Sequence, residues 1–546
     1  MNWYNPDDHS LMMKQVVLQK EEKMKLRKLA AILLSAIMVV SMASIASADI
    51  IGADVDAPNT TKTDETLVVT LASEPSTLWG SGAGQVENEA QIIISATQDT
   101  LVNVDKTTGE ILPRLATAWE WVDSTHCKFT LRDDVTMTDG SLLVADDVVY
   151  SVGVWTEFSA NNDTGRYLVG AEAVDEHTVV IEFVQECPDL VSMMCWSNFG
   201  IVSQDEVEAL GGVEAACKNP VMGSGRYIFK EWVSGQSVTL ERNENYWDPD
   251  YAGYFKTIVV KFTNDPAARE MAIESGDSQV AADMPVIQAT AYQGSPNVNV
   301  VIYDFGQVTH LWYNMTEGRA TADQKVRQAI EKAINYEALA MVGTGGQGTQ
   351  ALGYLSPASP YYHEIYTPEE RALDIEGAKA LLAEAGYPDG LTLEILGLQD
   401  SVPTYTVIQE NLRAIGITLN INTPDTASFV GDAFGGNYDL IVVGEWIPNR
   451  NPSAYVFVSE AQIASGFVIG GPKVTTPELE ALRQQIIKEP DNATASGYME
   501  ELETILKNDT ITTNLYPELK AAVVAKDLKG FGTIERGFMD ITTLYK

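Results

Sequence analysis

Apolar residues recur along this chain in two patterns, one typical of strands and one typical of helices. In the clearest helical pattern, between residues 324 and 334, apolar residues three or four positions apart share one face. They are Val326, Ala329, Ile330, Ala333 and Ile334. Short runs of β-branched and apolar residues predict buried strands between such helices. The predicted helices are Gln91–Val102, Ala267–Ile273, Asp374–Gly386 and Tyr405–Ile415. The predicted strands are Thr66–Ala72, Val174–Val184, Lys256–Thr263, Leu391–Gly397, Ile417–Ile421 and Tyr438–Val443.

Cap and turn residues predict where several of these elements begin and end. A short β-prone run, Leu311–Tyr313, leads towards the helix near residue 324. Thr321 and Gln324 have the spacing of a capping box, which places the start of that helix at Thr321. Gly386 is expected to end the helix that precedes it, because glycine readily adopts the left-handed conformation found after helices.

Two longer stretches predict antiparallel structure. Residues 112–148 read LPRLATAWEWVDSTHCKFTLRDDVTMTDGSLLVADDV and predict a β-meander followed by a helix that begins at Ala145. Residues 223–247 read GSGRYIFKEWVSGQSVTLERNENYW, and Ser234-Gly235 predicts a hairpin turn there. After residue 311, helices and strands alternate, which predicts a largely parallel sheet covered on both faces. A chain of 546 residues is too long for one core, so we expect two or three lobes.

The N-terminal residues carry a predicted export signal. Lys25, Arg27 and Lys28 form a basic region, Leu29–Val40 is apolar, and Ala46-Ser47-Ala48 offers a small-x-small cleavage site. We expect Met24 to be the natural start and the residues before it to lie outside the fold. The alternative is an uncleaved membrane anchor, since the apolar run reaches a marginal spanning length with its Ser/Ala-rich continuation. No cysteine precedes Cys127, so this sequence offers no site for a lipoprotein anchor.

Composition narrows the possible partners. The formal net charge is −40, and it becomes −42 without residues 1–48, which hold six Lys/Arg and four Asp/Glu. Such an acidic surface repels nucleic acid and anionic membranes, so we expect no nucleic-acid partner. An apolar content of 45% indicates a folded protein rather than a disordered chain.

The sequence offers little for catalysis or metal binding. The four cysteines, an even number, permit two disulfides in an exported protein, in any of three pairings. They are Cys127, Cys187, Cys195 and Cys217. Their spacings match no zinc motif, so we expect structural roles for them and neither a metal site nor a cofactor. No GxSxG or HExxH motif occurs, which disfavours an exported hydrolase, the main alternative from another functional class.

Three of these stretches resemble one protein family. From Tyr313-Asn314 onwards, a strand ending in YN followed by D-x-x-VRQAI-x-x-AIN resembles a family signature. Residues 112–148 resemble the family's P-x-LA-x-x-W … FxLR … DG … A-x-DV block. Residues 223–247 resemble its GTGPY … RN-x-x-YW segment, with Arg226 where proline is usual. The family is that of the extracytoplasmic solute-binding proteins for peptides and nickel (family 5) of ABC transporters, and the resemblance spans roughly residues 66–540.

The resemblance implies an α/β fold of the two-lobed, type II periplasmic-binding-protein kind. Mixed sheets flanked by helices, an extra subdomain in lobe 1 and a hinge between the lobes would complete it. The implied divisions are 1–48 (extension and signal peptide), 49–65 (flexible leader), 66–310 (lobe 1, with an inserted subdomain at about 92–200), 311–510 (lobe 2) and 511–546 (return to lobe 1). Asp139 and Asp147 would be turn and helix-cap residues.

In such a protein the ligand lies in the cleft between the lobes. The segments implied to face that cleft are Ser73–Gly80, Phe305–Trp312, Gly397–Tyr405 and Gly444–Asn451. Aromatic side chains would supply flat apolar surface and polar ones would orient the ligand. The candidate ligand-binding residues are Glu74, Trp79, Phe305, Gln307, Trp312, Asp400, Tyr405, Trp446, Asn449 and Arg450.

Departures from the family pattern bear on the ligand. Peptide-binding relatives hold the ligand's amino group with an aspartate shortly after the tryptophan of a W-x-x-D loop, where this chain has Asn449. Dipeptide-binding relatives clamp the carboxylate with an arginine that residues 397–405 do not contain. A free dipeptide is therefore disfavoured, since neither of its charges would be compensated. Only five histidines occur in the chain, which disfavours the metal chelates that nickel-binding relatives take.

We therefore expect the substrate-binding component of an ABC importer. It would capture a peptide or similar solute and deliver it unchanged to a membrane permease. An oligosaccharide- or metal-chelate-binding protein of the same family, or one that senses its solute, is the alternative. The protein is expected to be a monomer without enzymatic activity, outside the cytoplasm, either secreted or held at the membrane by an uncleaved N-terminal segment.

Overall fold

The computed structural model describes residues 61–79, 88–105, 110–158, 167–184, 190–217, 219, 223–359, 361–445, 476–489, 491–533 and 538–546. Its strands are β1 (Thr66–Leu71), β2 (Val102–Val104), β3 (Ile111–Pro113), β4 (Ala116–Trp121), β5 (His126–Leu131), β6 (Leu168–Asp175), β7 (Thr178–Phe183), β8 (Tyr227–Val233), β9 (Ser237–Arg242), β10 (Thr257–Phe262), β11 (Val280–Met284), β12 (Val298–Tyr313), β13 (Leu391–Leu396), β14 (Ile417–Asn422), β15 (Leu440–Glu445), β16 (Thr512–Ala525), β17 (Gly532–Thr533) and β18 (Met539–Asp540). Its α-helices are Asn88–Thr97, Ala145–Phe158, Leu190–Met193, Gln204–Ala209, Val213–Ala216, Pro266–Ser275, Val286–Ala289, Gln324–Ala333, Tyr336–Gly343, Ile375–Glu384, Val402–Arg413, Thr426–Gly435, Pro477–Lys488 and Asn492–Asn508.

Ten of the described strands form one mixed sheet, in the order β14-β13-β15-β12-β16-β11-β1-β10-β9-β8. In one half, β1 is parallel to β10 and to β11, and the hairpin of β8 and β9 adds the edge. In the other half, β13 is parallel to both β14 and β15. The two long central strands β12 and β16 are antiparallel and join these halves. The parallel strands predicted after residue 311 are therefore β13, β14 and β15.

A second, antiparallel sheet of four strands has the order β4-β5-β7-β6. The helix Ala145–Phe158 packs against it, and the buried side chains of Val148, Val152 and Trp155 join its core. This is the predicted meander with its helix beginning at Ala145. The prediction of one strand over Val174–Val184 was wrong, because β6 and β7 form a hairpin with a turn at residues 176–177. The turn contains neither glycine nor proline, so the sequence gives no strong signal of the break.

Two further boundaries differ from the predicted ones. The first helix covers Asn88–Thr97 rather than Gln91–Val102, because Val102 begins β2 of a small hairpin with β3. The N-cap near residue 324 is Asp323, whose carboxylate accepts the Lys325 N–H, and not Thr321. The Thr321 hydroxyl instead donates to the Asn314 carbonyl. Several short polar residues before a helix can each act as its cap, so spacing alone did not select the right one.

A buried carboxylate brings together residues from two of the family-like stretches, 112–148 and 223–247. Asp99 has a fully buried side chain and accepts hydrogen bonds from Arg114, whose Nε lies 2.9 Å away. It also accepts from the Ser224 hydroxyl at 2.9 Å, the Trp247 indole at 2.8 Å and the Tyr246 hydroxyl at 3.3 Å. Residues from the LPRLA, GSGRY and NENYW motifs therefore meet at one point, and their role there is structural.

Buried apolar side chains fall into separate groups along the central strands. Val301, Tyr303 and Phe305 of β12 belong to a group with β1, β10 and the residues around 538–544. From Leu311 onwards, the buried side chains of β12 belong to a larger group. That group takes buried side chains from residues 311–516 and from residues 101–201, which include the second sheet. The chain therefore passes from one core to another between Phe305 and Leu311.

Among the described cysteines, Cys127, Cys195 and Cys217, no two form a disulfide with each other. Burial raises the pKa of Cys127 to about 12, as expected for an inert thiol in a core. Cys187 lies outside the described residues. Among the described residues, none of the helices combines the length and the apolar character needed to span a bilayer.

Candidate ligand-binding site

The pairing of the two central strands is interrupted at one place. Asp304 of β12 pairs with Leu519 of β16, and the next pair is Val308 with Pro517. Three residues of β12 therefore lie opposite one residue of β16, Glu518. Gly306, within this bulge, has a φ of +79°, a conformation that glycine adopts without strain. The bulge lies where the chain passes from one core to the other.

The parallel strands of both halves of the sheet end at this bulge. On one side β1, β11 and the first part of β12 run in the same direction, so Leu71, Met284 and Asp304 lie near one edge. On the other side β15 runs antiparallel to β12, and its last residue Glu445 pairs with Val308. The parallel neighbours of β15 end on the same side. Ligands of α/β proteins bind where the carboxyl ends of strands meet at such a change of connectivity.

The accessibility of β16 supports a crevice there. Residues 512–517 and 521–524 of this strand are buried, whereas Glu518, Leu519 and Lys520 are partly exposed. A strand in the middle of a ten-stranded sheet is expected to be covered on both faces. Solvent therefore reaches the centre of the sheet at the interrupted pairing.

Three of the four predicted cleft segments meet around the bulge. A Cβ at Gly444 would lie 3.2 Å from Gln307 Oε1 and 3.3 Å from Glu518 Oε2, so both polar side chains lie beside the end of β15. Thr404 and Tyr516 share a hydrogen bond of 3.0 Å between their hydroxyls, which ties the segment Gly397–Tyr405 to β16. The remaining segment, Ser73–Gly80, follows the carboxyl end of β1.

Three of the predicted aromatic residues in these segments, Phe305, Trp312 and Tyr405, are buried. Phe305 is 4% exposed and meets Phe538 edge-to-face with 4.9 Å between ring centroids. Trp312 is 5% exposed and lies beside His310, with 6.1 Å between the rings. Tyr405 is 1% exposed, and its hydroxyl accepts the Leu398 N–H at 3.0 Å. All three rings contribute to cores, and a ligand would reach at most an edge of each in this conformation.

Glu74 and Trp79 make contacts away from the bulge. Glu74 accepts hydrogen bonds from the Trp232 indole at 2.7 Å and from the Gly235 N–H at 2.9 Å, which fixes the β8–β9 turn. Trp79 is 2% exposed and packs in a small apolar group with Val154 and Val207. The other predicted residues cannot be placed: Trp446, Asn449 and Arg450 lie outside the described residues, as does the side chain of Asp400.

Charged residues that the sequence-based prediction missed lie at the bulge. Lys520 forms an ion pair of 3.1 Å with Glu518, and its ammonium lies 4.8 Å from the centre of the Phe305 ring. Burial acts to lower the pKa of Lys520, but Glu518 and Asp283 outweigh it and hold that pKa above its usual value. Burial raises the pKa of Asp283. No strand was predicted around residues 512–525, and only the pairing of β16 with β12 reveals that Glu518 and Lys520 lie at the centre of the sheet.

Histidine and acidic residues do not assemble a metal site in the described part of the chain. None of its His, Cys, Asp and Glu residues form a group of three or more placed to hold a metal ion. One of the five histidines, His310, does lie within the segment Phe305–Trp312, where it is fully buried. Burial lowers the pKa of His310 to about 3.

Comparison with known proteins places these features in a family. The sequence model of the bacterial extracellular solute-binding proteins, family 5 (middle), matches residues 110–463. The probable D,D-dipeptide-binding periplasmic protein DdpA of Escherichia coli (strain K12) is 23% identical over 85% of this chain and 91% of its own length. The periplasmic murein peptide-binding protein MppA of the same strain is 24% identical over 78% of this chain and 82% of its own. The structure of the periplasmic binding protein DppA from Helicobacter pylori, in complex with the peptide STSA, superposes with a TM-score of 0.74 at 20% identity and covers 88% of this chain and 98% of that one.

Proposed function

This chain belongs to family 5 of the bacterial extracellular solute-binding proteins, and from that premise we propose that it captures a peptide or peptide-like solute and delivers it unchanged to an ABC permease. Its fold is the two-lobed α/β fold of periplasmic binding proteins. The observation that carries the proposal is the interrupted pairing of β12 and β16, where the carboxyl ends of both halves of the sheet meet. Closure of the lobes around this crevice would bury a solute on both sides.

The proposed boundary between the lobes lies at the change of core along β12, although the buried apolar side chains of residues 101–201 group with those of residues 311–516. The first comprises residues 66–310, with an inserted subdomain at about 92–200 that holds the four-stranded sheet. The second comprises residues 311–510, and β16 carries the chain back to the first. The two strands that cross between them would act as the hinge, with Gly306 as a residue that tolerates the change of backbone angle.

A peptide is favoured over the alternatives by the chemistry around the bulge. Gln307, Glu518 and Lys520 offer hydrogen-bonding and charged groups at the end of β15. Peptides carry matching charges and amides, whereas a neutral oligosaccharide needs no ion pair. Metal chelates are disfavoured because the histidine nearest the bulge, His310, is fully buried and so offers no accessible ring nitrogen. Asn449 and Trp446, which follow Gly444 in sequence, stay in the proposed contact set.

The protein is proposed to act as a passive carrier outside the cytoplasm. The acidic surface, with a net charge of −40, speaks against a nucleic-acid partner. A monomer that binds, closes and docks with its permease would need no catalytic group. Attachment to the membrane through an uncleaved segment at residues 24–48 is the alternative to free secretion.

A thermal-shift screen with peptides of two to eight residues, neutral oligosaccharides and metal chelates tests this proposal. A solute that binds only the folded state at 100 times its Kd stabilises it by about 2.7 kcal/mol, which raises the Tm measurably. We expect hits among peptides longer than two residues. Asn449→Ala should weaken such a hit without lowering the Tm of the free protein, and Asn245→Ala, at an exposed position in the turn after β9, serves as a control. Shifts with oligosaccharides or chelates alone would overturn the peptide assignment, and turnover of any solute would overturn the carrier role.

A further inference from the structure

The bulge between the lobes holds a charged pair on one face of a central strand. Glu518 and Lys520 are two positions apart on β16, so both side chains leave the strand on the same face. Their side chains are 30% and 27% exposed, and 3.1 Å separates the carboxylate from the ammonium. A dissolved molecule can therefore contact either charged side chain without unfolding any part of the sheet.

Negative charge outweighs positive charge around this pair. Three carboxylates, those of Glu518, Asp283 and Glu89, act on the Lys520 ammonium. Arg269, the other cation near Asp283, is 2% exposed and donates to backbone carbonyls, including that of Asp283 at 3.1 Å. The charge of Arg269 is therefore compensated by backbone carbonyls inside lobe 1. Among the described residues around this pair, one accessible ammonium faces three carboxylates, which favours the approach of a second cation.

The pair also lies beside the carboxyl end of β15. Glu518 Oε2 and Gln307 Oε1 lie 3.3 and 3.2 Å from where a Cβ at Gly444 would be. A carboxylate and an amide oxygen, both hydrogen-bond acceptors, therefore lie next to each other where the crevice opens.

We propose that Glu518 is the anchor for a protonated amine of the ligand, with the Gln307 carbonyl oxygen as a second acceptor. This inference rests on the proposed function and narrows the solute to one that carries a primary ammonium group. Lys520 holds Glu518 in place while the crevice is empty, and the ligand's amine then competes for the same carboxylate. An anionic group is disfavoured there, because it would lie among three carboxylates whose one accessible counter-ion is already paired.

Binding to the unaltered protein gives the first test. Isothermal titration compares a tetrapeptide with a free amino terminus, its N-acetylated form, a linear polyamine and a neutral tetrasaccharide. A charge-assisted hydrogen bond is worth roughly 10- to 100-fold in affinity, so acetylation should weaken binding by at least about tenfold. A polyamine that binds more tightly than the peptide would identify a basic solute rather than a peptide as the source of the ammonium group, and the anchor would stand.

Two substitutions with opposite expected effects give the second test. Glu518→Gln should lower the affinity for the free-amine peptide by about tenfold or more and remove the difference between it and the acetylated peptide. Lys520→Met keeps an apolar chain over Phe305 and removes the competing ammonium, so the preference for the free amine should rise by about threefold. Glu241→Gln is the matched control, since Glu241 forms a 2.8 Å ion pair with Lys230 on the β8–β9 hairpin.

The outcomes separate this inference from the proposed function. Equal affinities for free and acetylated peptide, or equal behaviour of Glu518→Gln and Glu241→Gln, would overturn the anchor while leaving peptide capture intact. A loss of preference in Lys520→Met would do the same, because Lys520 competes with the ligand's amine for Glu518 and contributes no contact to the anchor itself. Failure of the unaltered protein to bind any of these solutes would overturn the proposed function, and the anchor with it.

Discussion

Replacing Asp99 by Asn should destabilise the protein strongly, although the change removes no atom from the core. The Asp99 carboxylate is fully buried and accepts hydrogen bonds from the Arg114 guanidinium, the Ser224 hydroxyl and the Trp247 indole. In the variant, an amide NH2 group would face these donors, and the positive charge of Arg114 would lose its counter-ion.

The expected cost follows from the burial of the two partners. Breaking a buried ion pair by neutralising one partner costs about 3–5 kcal/mol. The Arg114 side chain is 18% exposed, so water compensates part of its charge and the lower value, about 3 kcal/mol, applies. Asp134 provides a matched control, because it also accepts two bonds from one arginine, Arg132, at 2.8 and 2.7 Å. Its side chain is 55% exposed, and Asp134→Asn should cost less than about 1 kcal/mol.

Urea unfolding at pH 7, followed by tryptophan fluorescence, measures both costs from the shift of the midpoint at constant slope. A second variant, Asp99→Asn combined with Arg114→Met, should recover part of the lost stability, because it leaves no unpaired buried charge. The reasoning would be refuted if Asp99→Asn and Asp134→Asn shifted the midpoint equally. It would also be refuted if the double variant were less stable than the single one.

Three further predictions concern other parts of the molecule. Burial raises the pKa of Glu503 to about 7, and its carboxylate lies 3.3 Å from His363 Nδ1. Because of this raised pKa, the folded state keeps a proton that the unfolded state loses above pH 4.5. The free energy of unfolding should therefore fall as the pH rises towards 7. Relative to Glu503→Gln, the protein should therefore lose about 3 kcal/mol between pH 4.5 and 8, and a difference in Tm that does not change with pH would contradict this. A Cβ at Gly343 would overlap the ring of Tyr516, so Gly343→Ala should lower the Tm by several degrees, whereas Gly431→Ala, with open space around it, should not. Tyr516→Phe leaves the Thr404 hydroxyl without its 3.0 Å partner and should cost about 1 kcal/mol in urea unfolding, and an unchanged midpoint would show that the bond contributes nothing.

Local pattern predicted most elements of the fold correctly. Strands such as β1, β10 and β14 agree with their predicted runs within a residue or two, because each is a short β-branched segment bounded by turn residues. The prediction was weakest for the two central strands: only Leu311–Tyr313 of β12 was recognised, and no strand was predicted over β16. Residues 298–310 mix polar and apolar positions, since this strand borders the crevice and carries a bulge, and both features disrupt the period of two.

The candidate site was only partly predictable for a related reason. Gln307 and Gly444 were placed in cleft segments through the family resemblance, and the structure brings them together. Glu518 and Lys520 could not be selected from a chain with 76 acidic residues, because only the pairing of β16 with β12 puts them at the centre of the sheet. Tyr405 was expected to offer surface to a ligand, but the absence of a side chain at Gly397 lets its ring pack inwards. For Gln307, Glu518 and Lys520, partners distant in sequence therefore decide the position in the fold.

Calorimetric titration of the purified protein with a peptide hit, followed by mass spectrometry of the recovered peptide, tests the central claim most directly. The claim is that two lobes close on a solute at the bulge and release it intact. We predict saturable binding of one peptide per chain, a negative heat-capacity change from buried apolar surface, and a peptide of unchanged mass. Absence of binding to every peptide tried, or recovery of a cleaved peptide, would contradict it.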